Sequence, residues 1–421
     1  MSSDSRTDVL VVGAGPTGLV AALQLSQAGL GVEVIDEEWR PAGHSYALAL
    51  HPRSLALLDR LGLAGDAIGM GRRLEAVDVY DGAHLEATLR PEGPEGFRFL
   101  LALPQSALED LLARRLAERG VQVRWSHRLA GLDTSGGEVV ARVHRLEKES
   151  GGYAVAHTEW VIAKELTYRT AFVVGTDGHR SLVRRALGTP FEEVAPSQVF
   201  AVVECRGRSG DEMRLVLDGA TVSALWPLPD GRARWSLELD APEVSSEDRF
   251  KSRLTTRIGE RHFPHLDEAR VRALVWERAP WFEAELGELG WSAEVRFERR
   301  LAASFGQGRV WLAGDAAHLT GPVGMQSMNA GLDEASDLAA RLVGVRRGGQ
   351  ALATLESYGA ERRAGWELLL GRRGGLRPGD RTPPFVAKNA ARLLPCLPAT
   401  GEDLLALAGQ LGLAVDRALS P

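Results

Sequence analysis

The chain has 421 residues, with 50 Lys+Arg against 56 Asp+Glu and a formal net charge of -6. That length suits two or three domains on the usual scale of about 100–200 residues each, enough to bury a large core. No basic block stands out, which argues against nucleic acid or an anionic membrane as partner and for a small molecule.

Only Cys205 and Cys396 occur, so there is no disulfide framework, no CxxC redox pair and no cysteine-based metal site, and no metal is expected. The opening MSSDSRTD lacks a charged n-region followed by an apolar h-region, and no stretch approaches the ~18 uninterrupted apolar residues of a spanning helix. A cytoplasmic protein without stable membrane insertion is the expectation.

The first element is the apolar strand Val9-Leu10-Val11-Val12, which runs into Gly13-Ala14-Gly15-Pro16-Thr17-Gly18 and then a helix from Leu19 to Ala28. This is the context a dinucleotide fingerprint requires. Gly13 allows the tight turn, Gly15 lets backbone approach a pyrophosphate, and Gly18 lets helix and strand pack closely. A second strand, Val32 to Ile35, ends at Asp36, eighteen residues after Gly18. That is about the spacing at which an acid accepts hydrogen bonds from a ribose. A glycine-rich turn that binds nothing is the plainer alternative.

Gln105 to Arg119 is predicted as a helix, because Leu108, Leu111, Leu112 and Leu116 fall on one face. A short strand, Val121 to Trp125, follows. Phe172-Val173-Val174-Gly175 is then a further apolar strand ending at Thr176-Asp177-Gly178. Asp177 either serves a nucleotide or caps the next helical turn. Between 191 and 299, the alternating runs Thr221 to Trp226 and Ala233 to Leu239 flank Pro227-Leu228-Pro229-Asp230-Gly231, a turn between antiparallel strands. Trp226, Trp235, Trp276, Trp281 and Trp291 lie in this region, where a flat aromatic ligand can stack, although core packing is the better explanation of any single one. Finally, RVWLAGDAAHLTGPVGMQSMNAGLDEASDLAARL carries a strand into Gly314-Asp315, a Gly/Pro turn and an amphipathic helix, before a Gly/Pro-rich link and two short helical patterns.

GAGPTG, LPQSALEDLL, VVGTDGHRSLVRRALG and LAGDAAH appear in the order of the single-component flavoprotein aromatic hydroxylases, and the chain resembles the para-hydroxybenzoate hydroxylase family over roughly residues 8 to 370. The resemblance implies an α/β fold: a discontinuous Rossmann-like FAD-binding domain (1–73, 100–190 and 300–375), a mainly antiparallel β-sheet substrate domain (74–99 and 191–299), and a short helical C-terminal tail (376–421). The tail is too short for the thioredoxin-like C-terminal domain that several polyketide hydroxylases of the family carry.

Residue by residue, the resemblance places Asp315 at the FAD ribityl or pyrophosphate region. Pro322, Gly324 and Met325 come close to the isoalloxazine, and a helix beginning near Asn329 aims its positive end at the flavin O2/N1 region. Gln105 falls near the ribityl chain, and Asp177 is associated with both FAD and pyridine nucleotide. Gly13, Gly15, Pro16, Gly18, Asp36, Glu37, Leu129 and Gly314 complete the expected cofactor set. Tyr46, Phe200, Trp226, Trp235 and Pro322 are the candidates for the substrate pocket, with Arg214 a weaker one for an acidic substrate group.

Two departures from the family pattern bear on chemistry. The family reads GGQG where this chain has Gly324-Met325-Gln326-Ser327, and Met325 and Ser327 are expected to keep ordinary backbone angles while narrowing the space beside the flavin. His44 and Tyr46 stand where many members carry an arginine, and SYALAL is closer to kynurenine-monooxygenase-like members. Tyr46 therefore faces flavin or substrate, or is a core aromatic.

The implied activity is an FAD-dependent monooxygenase. NADH or NADPH reduces FAD, O2 gives a C4a-hydroperoxide, and one oxygen passes to an electron-rich carbon of a hydrophobic aromatic or polyketide-like molecule. The lack of a second fingerprint fits transient NAD(P)H binding. No catalytic base is named by the sequence; His44, His51 and His318 are conceivable, and His318 belongs to GDAAH. An FAD-dependent epoxidase or double-bond reductase, or an FAD-binding protein without oxygenase activity, are the alternatives. A halogenase is disfavoured because no WxWxIP pattern occurs. Oligomeric state is not legible.

Overall fold

The computed structural model describes residues 4–39, 47–94, 96–151, 157–207, 210–240, 255–258, 261–264, 266–282, 286–372 and 375–415. His44 and Tyr46 lie outside the described residues.

At the centre is a sheet in which Asp4–Val12 pairs in parallel with Val32–Ile35 on one side and His157–Gly175 on the other. Val123–Arg124 and Val310–Leu312 extend it outward, again in parallel. The strand order reverses at Asp4–Val12, so the loops leaving Val12 and Gly175 diverge and open a crevice at the strands' carboxyl ends, the place where doubly wound sheets bind ligands. Val9, Leu10 and Val11 are fully buried, as the continuous apolar run of a two-sided parallel strand requires. The helices Pro16–Gln27, Gln105–Glu118 and Gln326–Arg347 pack along it, the first touching both of the others. Val139–Gly151 and His127–Asp133 form an antiparallel extension on His157–Gly175.

A second sheet of eight strands runs in the order His318–Leu319, Leu289–Ala302, Phe191–Arg206, Arg232–Leu239, Thr221–Pro227, Glu212–Asp218, Ala76–Asp81 and His84–Leu89. Every pair is antiparallel except Glu212–Asp218 with Ala76–Asp81. Strand period sorts its residues between two cores. Phe200, Val202, Leu215, Ala224 and Trp226 share a core with the parallel sheet. Ala201, Val203, Leu225, Trp235 and Leu237 point the other way, under the helix Glu268–Arg278 with Val271, Leu274 and Val275.

Two expectations are corrected here. Trp235 packs against Trp281 and Phe282 with ring centroids 6.2 Å and 5.3 Å away, on the face turned from the crevice, and is structural rather than part of a substrate pocket. Arg214, on the strand next to Leu215, bonds Glu212 and lies 4.9 Å from the Trp281 ring, on that same far face.

The C-terminal helices Pro384–Leu393 and Gly401–Gln410, with the strand pair Leu376–Pro378 and Leu413–Val415, close over the end of the molecule near residues 324–326. Gln326 Nε2 donates to the carbonyls of Leu394 and Leu397 at 3.1 Å and 3.0 Å, and Arg53 pairs with Glu402 and Asp403. No helix among the described residues is long and apolar enough to cross a membrane.

One buried polar knot ties these parts together. Glu334 accepts hydrogen bonds from the Gly314 amide (2.8 Å), the Trp366 indole (2.7 Å) and His318 Nε2 (2.9 Å), and the Trp366 ring stacks on His318 at 3.8 Å. The His318 and Glu334 side chains are 0% and 2% exposed. Burial by itself raises the Glu334 carboxyl, yet His318 and the two N–H donors together hold it below its ordinary value of 4.5. Such a group stabilises the fold above the unfolded carboxylate pKa, and the contribution is lost as pH falls through the depressed value. Glu334→Gln is predicted to lower unfolding free energy by about 3–5 kcal/mol at pH 7, with the deficit shrinking in acid, as measured by urea denaturation. Equal midpoints for both proteins would contradict the role given to the knot.

Candidate active site

The fingerprint turn interlocks with the loop after the strand that ends at Gly175. Gly13 has φ +105°, and a Cβ there would lie 2.3 Å from the Thr176 carbonyl oxygen; one on Gly18 would lie 2.0 Å from the Gly13 carbonyl. Thr176 fastens the junction by donating its amide to Val12 and its hydroxyl to the carbonyls of Val12 and Gly13. A Cβ on Gly15, by contrast, would meet nothing within 4 Å. The Pro16–Gln27 helix therefore presents its N-terminus to open space, with Gly15 as N-cap, Pro16 in the first turn and no acidic residue there. Bare amides and the positive helix end suit a phosphate.

Asp36 accepts from the Ala14 amide at 2.6 Å and the Glu38 amide at 2.8 Å, so the carboxylate expected to receive ribose hydroxyls also pins the glycine turn. Burial raises its pKa, opposed by those two amides and reinforced by Glu37 and Asp177. Glu37 itself is exposed, and Leu129 is buried on its strand opposite Val143.

Gln105 donates from Nε2 to Glu109 at 2.7 Å. Glu109 is a feature the sequence reading missed. It is 5% exposed among the leucines of its helix, and burial, with Asp36 and Asp110 nearby, pushes it up to about 7. Its signal was available, since Gln105, Glu109, Leu112 and Leu116 follow one another at helical spacing on the inward face.

Asp177 accepts from the Ser181 hydroxyl (2.5 Å) and the amides of Leu182 (2.6 Å) and Val183 (3.1 Å), so the capping alternative is realised. At the third turn, Gly314 has φ +64° against Thr17, and Asp315 is exposed beside it. Ser327 donates to Asp315 Oδ1 at 2.6 Å and lies 3.4 Å from His318 Nδ1, so a chain of polar contacts joins exposed Asp315 to the buried knot.

The adjoining helix starts at Gln326 rather than near Asn329, again with no capping side chain and no acid in its first turn. Asn329 is 1% exposed and uses its whole amide: Nδ2 donates to Ala49 and Met325 carbonyls at 2.9 Å and 2.7 Å, and Oδ1 accepts from the His51 amide and the Ser54 hydroxyl. Its side chain braces the loop. Met325 departs from the expectation of ordinary angles, with φ +52° and ψ +28°. A left-handed non-glycine residue costs roughly 1–2 kcal/mol. The Asn329 bond to its carbonyl and the Gln326 bonds to the C-terminal segment hold it there. Pro322, Gly324 and Met325 are all buried.

Neither His51 nor His318 is a poised base. His51 donates from Nε2 to the Gly324 carbonyl at 3.0 Å, and burial lowers its pKa to about 3, so it stays neutral and fixes the loop. His318 is committed to Glu334. On the roof, Phe200 meets Phe297 edge-on at 5.7 Å and Trp226 is fully buried. A cavity of about 500 Å3 opens between the start of the Gln105–Glu118 helix and the second sheet, lined by Gln105, Glu204, Arg232, Arg234 and Trp291.

The raised Glu109 gives a pH signature. An acid whose folded pKa lies above its unfolded one stabilises fully below the unfolded value and loses that contribution as pH rises through the folded value. A rise from 4.5 to about 7 amounts to about 3 kcal/mol. Flavin-free wild-type protein should thus lose stability between pH 5 and pH 8 by roughly that amount, and Glu109→Gln should flatten the decline in urea titrations. Identical slopes would refute the assignment.

Comparison with known proteins agrees with this geometry. The family described as FAD binding domain matches residues 6–371. The chain is 30% identical to 6-methylpretetramide 4-monooxygenase of Streptomyces rimosus over 84% of its own length, and spans 58% of that relative. It is 29% identical to para-nitrophenol 4-monooxygenase of Pseudomonas sp. (strain WBC-3), covering 84% of this chain and 82% of the relative. The crystal structure of p-nitrophenol 4-monooxygenase from Pseudomonas putida DLL-E4 shares the fold with a TM-score of 0.72 at 22% identity, over 98% of this chain and 99% of that one. Matched across most of its length by the family model, the chain belongs to the FAD binding domain family, the group of FAD-dependent aromatic hydroxylases that its motifs resemble.

Proposed function

We propose that the protein is a monooxygenase that uses FAD, NADH or NADPH, and O2 to hydroxylate a hydrophobic aromatic or polyketide-like small molecule. The observation that carries this reading is the convergence of two uncapped helix N-termini, at Gly15 and Met325, with exposed Asp315 at one crevice, beneath a sheet that brings Phe200 and Trp226 to its inner face. The names of the relatives, monooxygenases of aromatic and polyketide compounds, point the same way.

These residues fit an FAD. The open space at Gly15 leaves room for a pyrophosphate, which Asp36 would flank at a ribose and Asp315 at the ribityl or pyrophosphate region. Bound there, FAD supplies hydride acceptance and oxygen activation. The amides at the start of the Gln326–Arg347 helix stabilise negative charge on an adjacent ring system. His51 and Asn329 keep the 322–325 loop rigid against it. The apolar inner face of the second sheet excludes water from the reacting space.

The test is to follow NADH and NADPH oxidation by purified protein with and without a panel of phenols and polycyclic aromatics, and to weigh the products. Acceleration by one compound and a product heavier by one oxygen atom is the expected result. A product heavier by two hydrogens, or no acceleration by any compound, would overturn the reading.

A further inference from the structure

Ser327 makes a contact that neither its own helix nor the apolar core explains. It is the second residue of the helix Gln326–Arg347. A serine in a first turn ordinarily serves the helix itself, through a bond between its hydroxyl and a nearby backbone group. The Ser327 hydroxyl instead reaches back twelve residues and donates to Asp315 Oδ1 at 2.6 Å, within the range of charge-assisted O–H···O bonds. Ser327 has no positive φ, so the backbone makes no demand for the glycine that stands at this position in the family pattern. The side chain is free to serve a contact of its own.

That contact joins the turn Gly314–Ala316 to the start of the helix, across the residues 317–325 that include the buried Pro322, Gly324 and Met325. Two other bonds fasten the same turn, from the Ala317 amide to the Gly314 carbonyl and from the Gly314 amide to Glu334, both at 2.8 Å. These two hold backbone, whereas Ser327 holds the Asp315 carboxylate itself. Its oxygen also lies 3.4 Å from His318 Nδ1, and Glu334 holds the other side of that imidazole at 2.9 Å. A hydroxyl has one proton to give, and the shorter separation assigns it to the carboxylate. Asp315 is exposed, and an exposed carboxylate without a tether turns freely about its side-chain torsions. With Oδ1 tied to Ser327, Oδ2 is the atom left to meet a ligand.

Resting on the reading of this crevice as an FAD site, we propose that Ser327 is a positioning residue for that cofactor: its hydroxyl fixes the Asp315 carboxylate so that Oδ2 accepts from a cofactor hydroxyl. It acts through Asp315 and makes no bond to the cofactor. Its contribution is preorganisation, since a carboxylate already held in place loses less rotational freedom on binding. That contribution depends on Asp315 and disappears when the carboxylate is removed.

The test is a double-mutant cycle in FAD affinity, measured by fluorescence titration of flavin-stripped wild-type protein, Ser327→Ala, Asp315→Ala and the double variant. Ser327→Ala should bind FAD about fivefold more weakly than wild type, the scale of one hydrogen bond. In the Asp315→Ala background the same substitution should change affinity by less than about twofold. Ser327→Thr, which keeps the hydroxyl, should bind as wild type does. A merely structural serine would lower the urea midpoint of the flavin-free protein and leave the two losses in affinity additive. Unchanged affinity in Ser327→Ala, additive losses in the double variant, or Ser327→Thr as weak as Ser327→Ala overturns the proposal. If Ser327→Ala fails to fold, Ser327→Gly takes its place in the cycle. The failures separate: FAD uptake by wild type with additive losses sinks only the role of Ser327, and wild-type protein that takes up no FAD sinks the cofactor reading beneath it.

Discussion

Everything in this molecule depends on how closely three backbone turns, far apart in sequence, approach one another at the carboxyl ends of the parallel strands. The tightest contact is between Gly13 and Thr176, where a single methyl group would sit 2.3 Å from a carbonyl oxygen. Gly314 and Gly331 also approach Thr17 closely, a Cβ on either falling 2.7 Å from its hydroxyl. Because these turns touch through backbone and one threonine, the helices Pro16–Gln27 and Gln326–Arg347 begin side by side. The same closeness leaves the start of the Pro16–Gln27 helix with no capping side chain and open space at Gly15, the arrangement that suits an anion.

A second constraint keeps that crevice in shape. Glu334 bonds Gly314 directly, so the GD turn is tied to the buried His318–Glu334 hydrogen bond and through Trp366 to the helix Ala353–Leu369. His51 and Asn329 do the equivalent for the next loop, joining Gly324 and Met325 to Ala49 and the Pro52–Arg60 helix. The strain in Met325 is held by several hydrogen bonds from different elements, an arrangement found where a loop must present its backbone to a ligand in one conformation.

The parallel sheet, its glycine turn and the inward face of the Gln105–Glu118 helix were legible because each rests on a local rule, of which the run Val9 to Val12 and the spacing of Leu108, Leu112 and Leu116 are instances. Trp226 and Trp235 could not be told apart, because the outcome depends on the hairpin register that sets Leu225 opposite Trp235 and Trp226 opposite Arg234. One residue of slip would have set them opposite each other on the same face. The bonds that Asn329 and Asp177 make to backbone were not legible, because polar side chains near a motif read the same whether they bind a ligand or backbone. Met325 looked ordinary because nothing in a sequence reveals φ at a position where neighbours impose it. The Glu204–Arg234 pair beside the cavity lies thirty residues apart on different strands, and no single-segment pattern brings the two together.

The central claim is that this crevice binds FAD through its turns and Asp315. Fluorescence titration of flavin-stripped protein with FAD tests it most directly. One FAD should bind per chain, and Asp315→Ala should bind about tenfold or more weakly with its fold intact, in line with loss of a hydrogen bond to a charged group. Full affinity in Asp315→Ala, or a wild-type protein that takes up no FAD, would contradict the account.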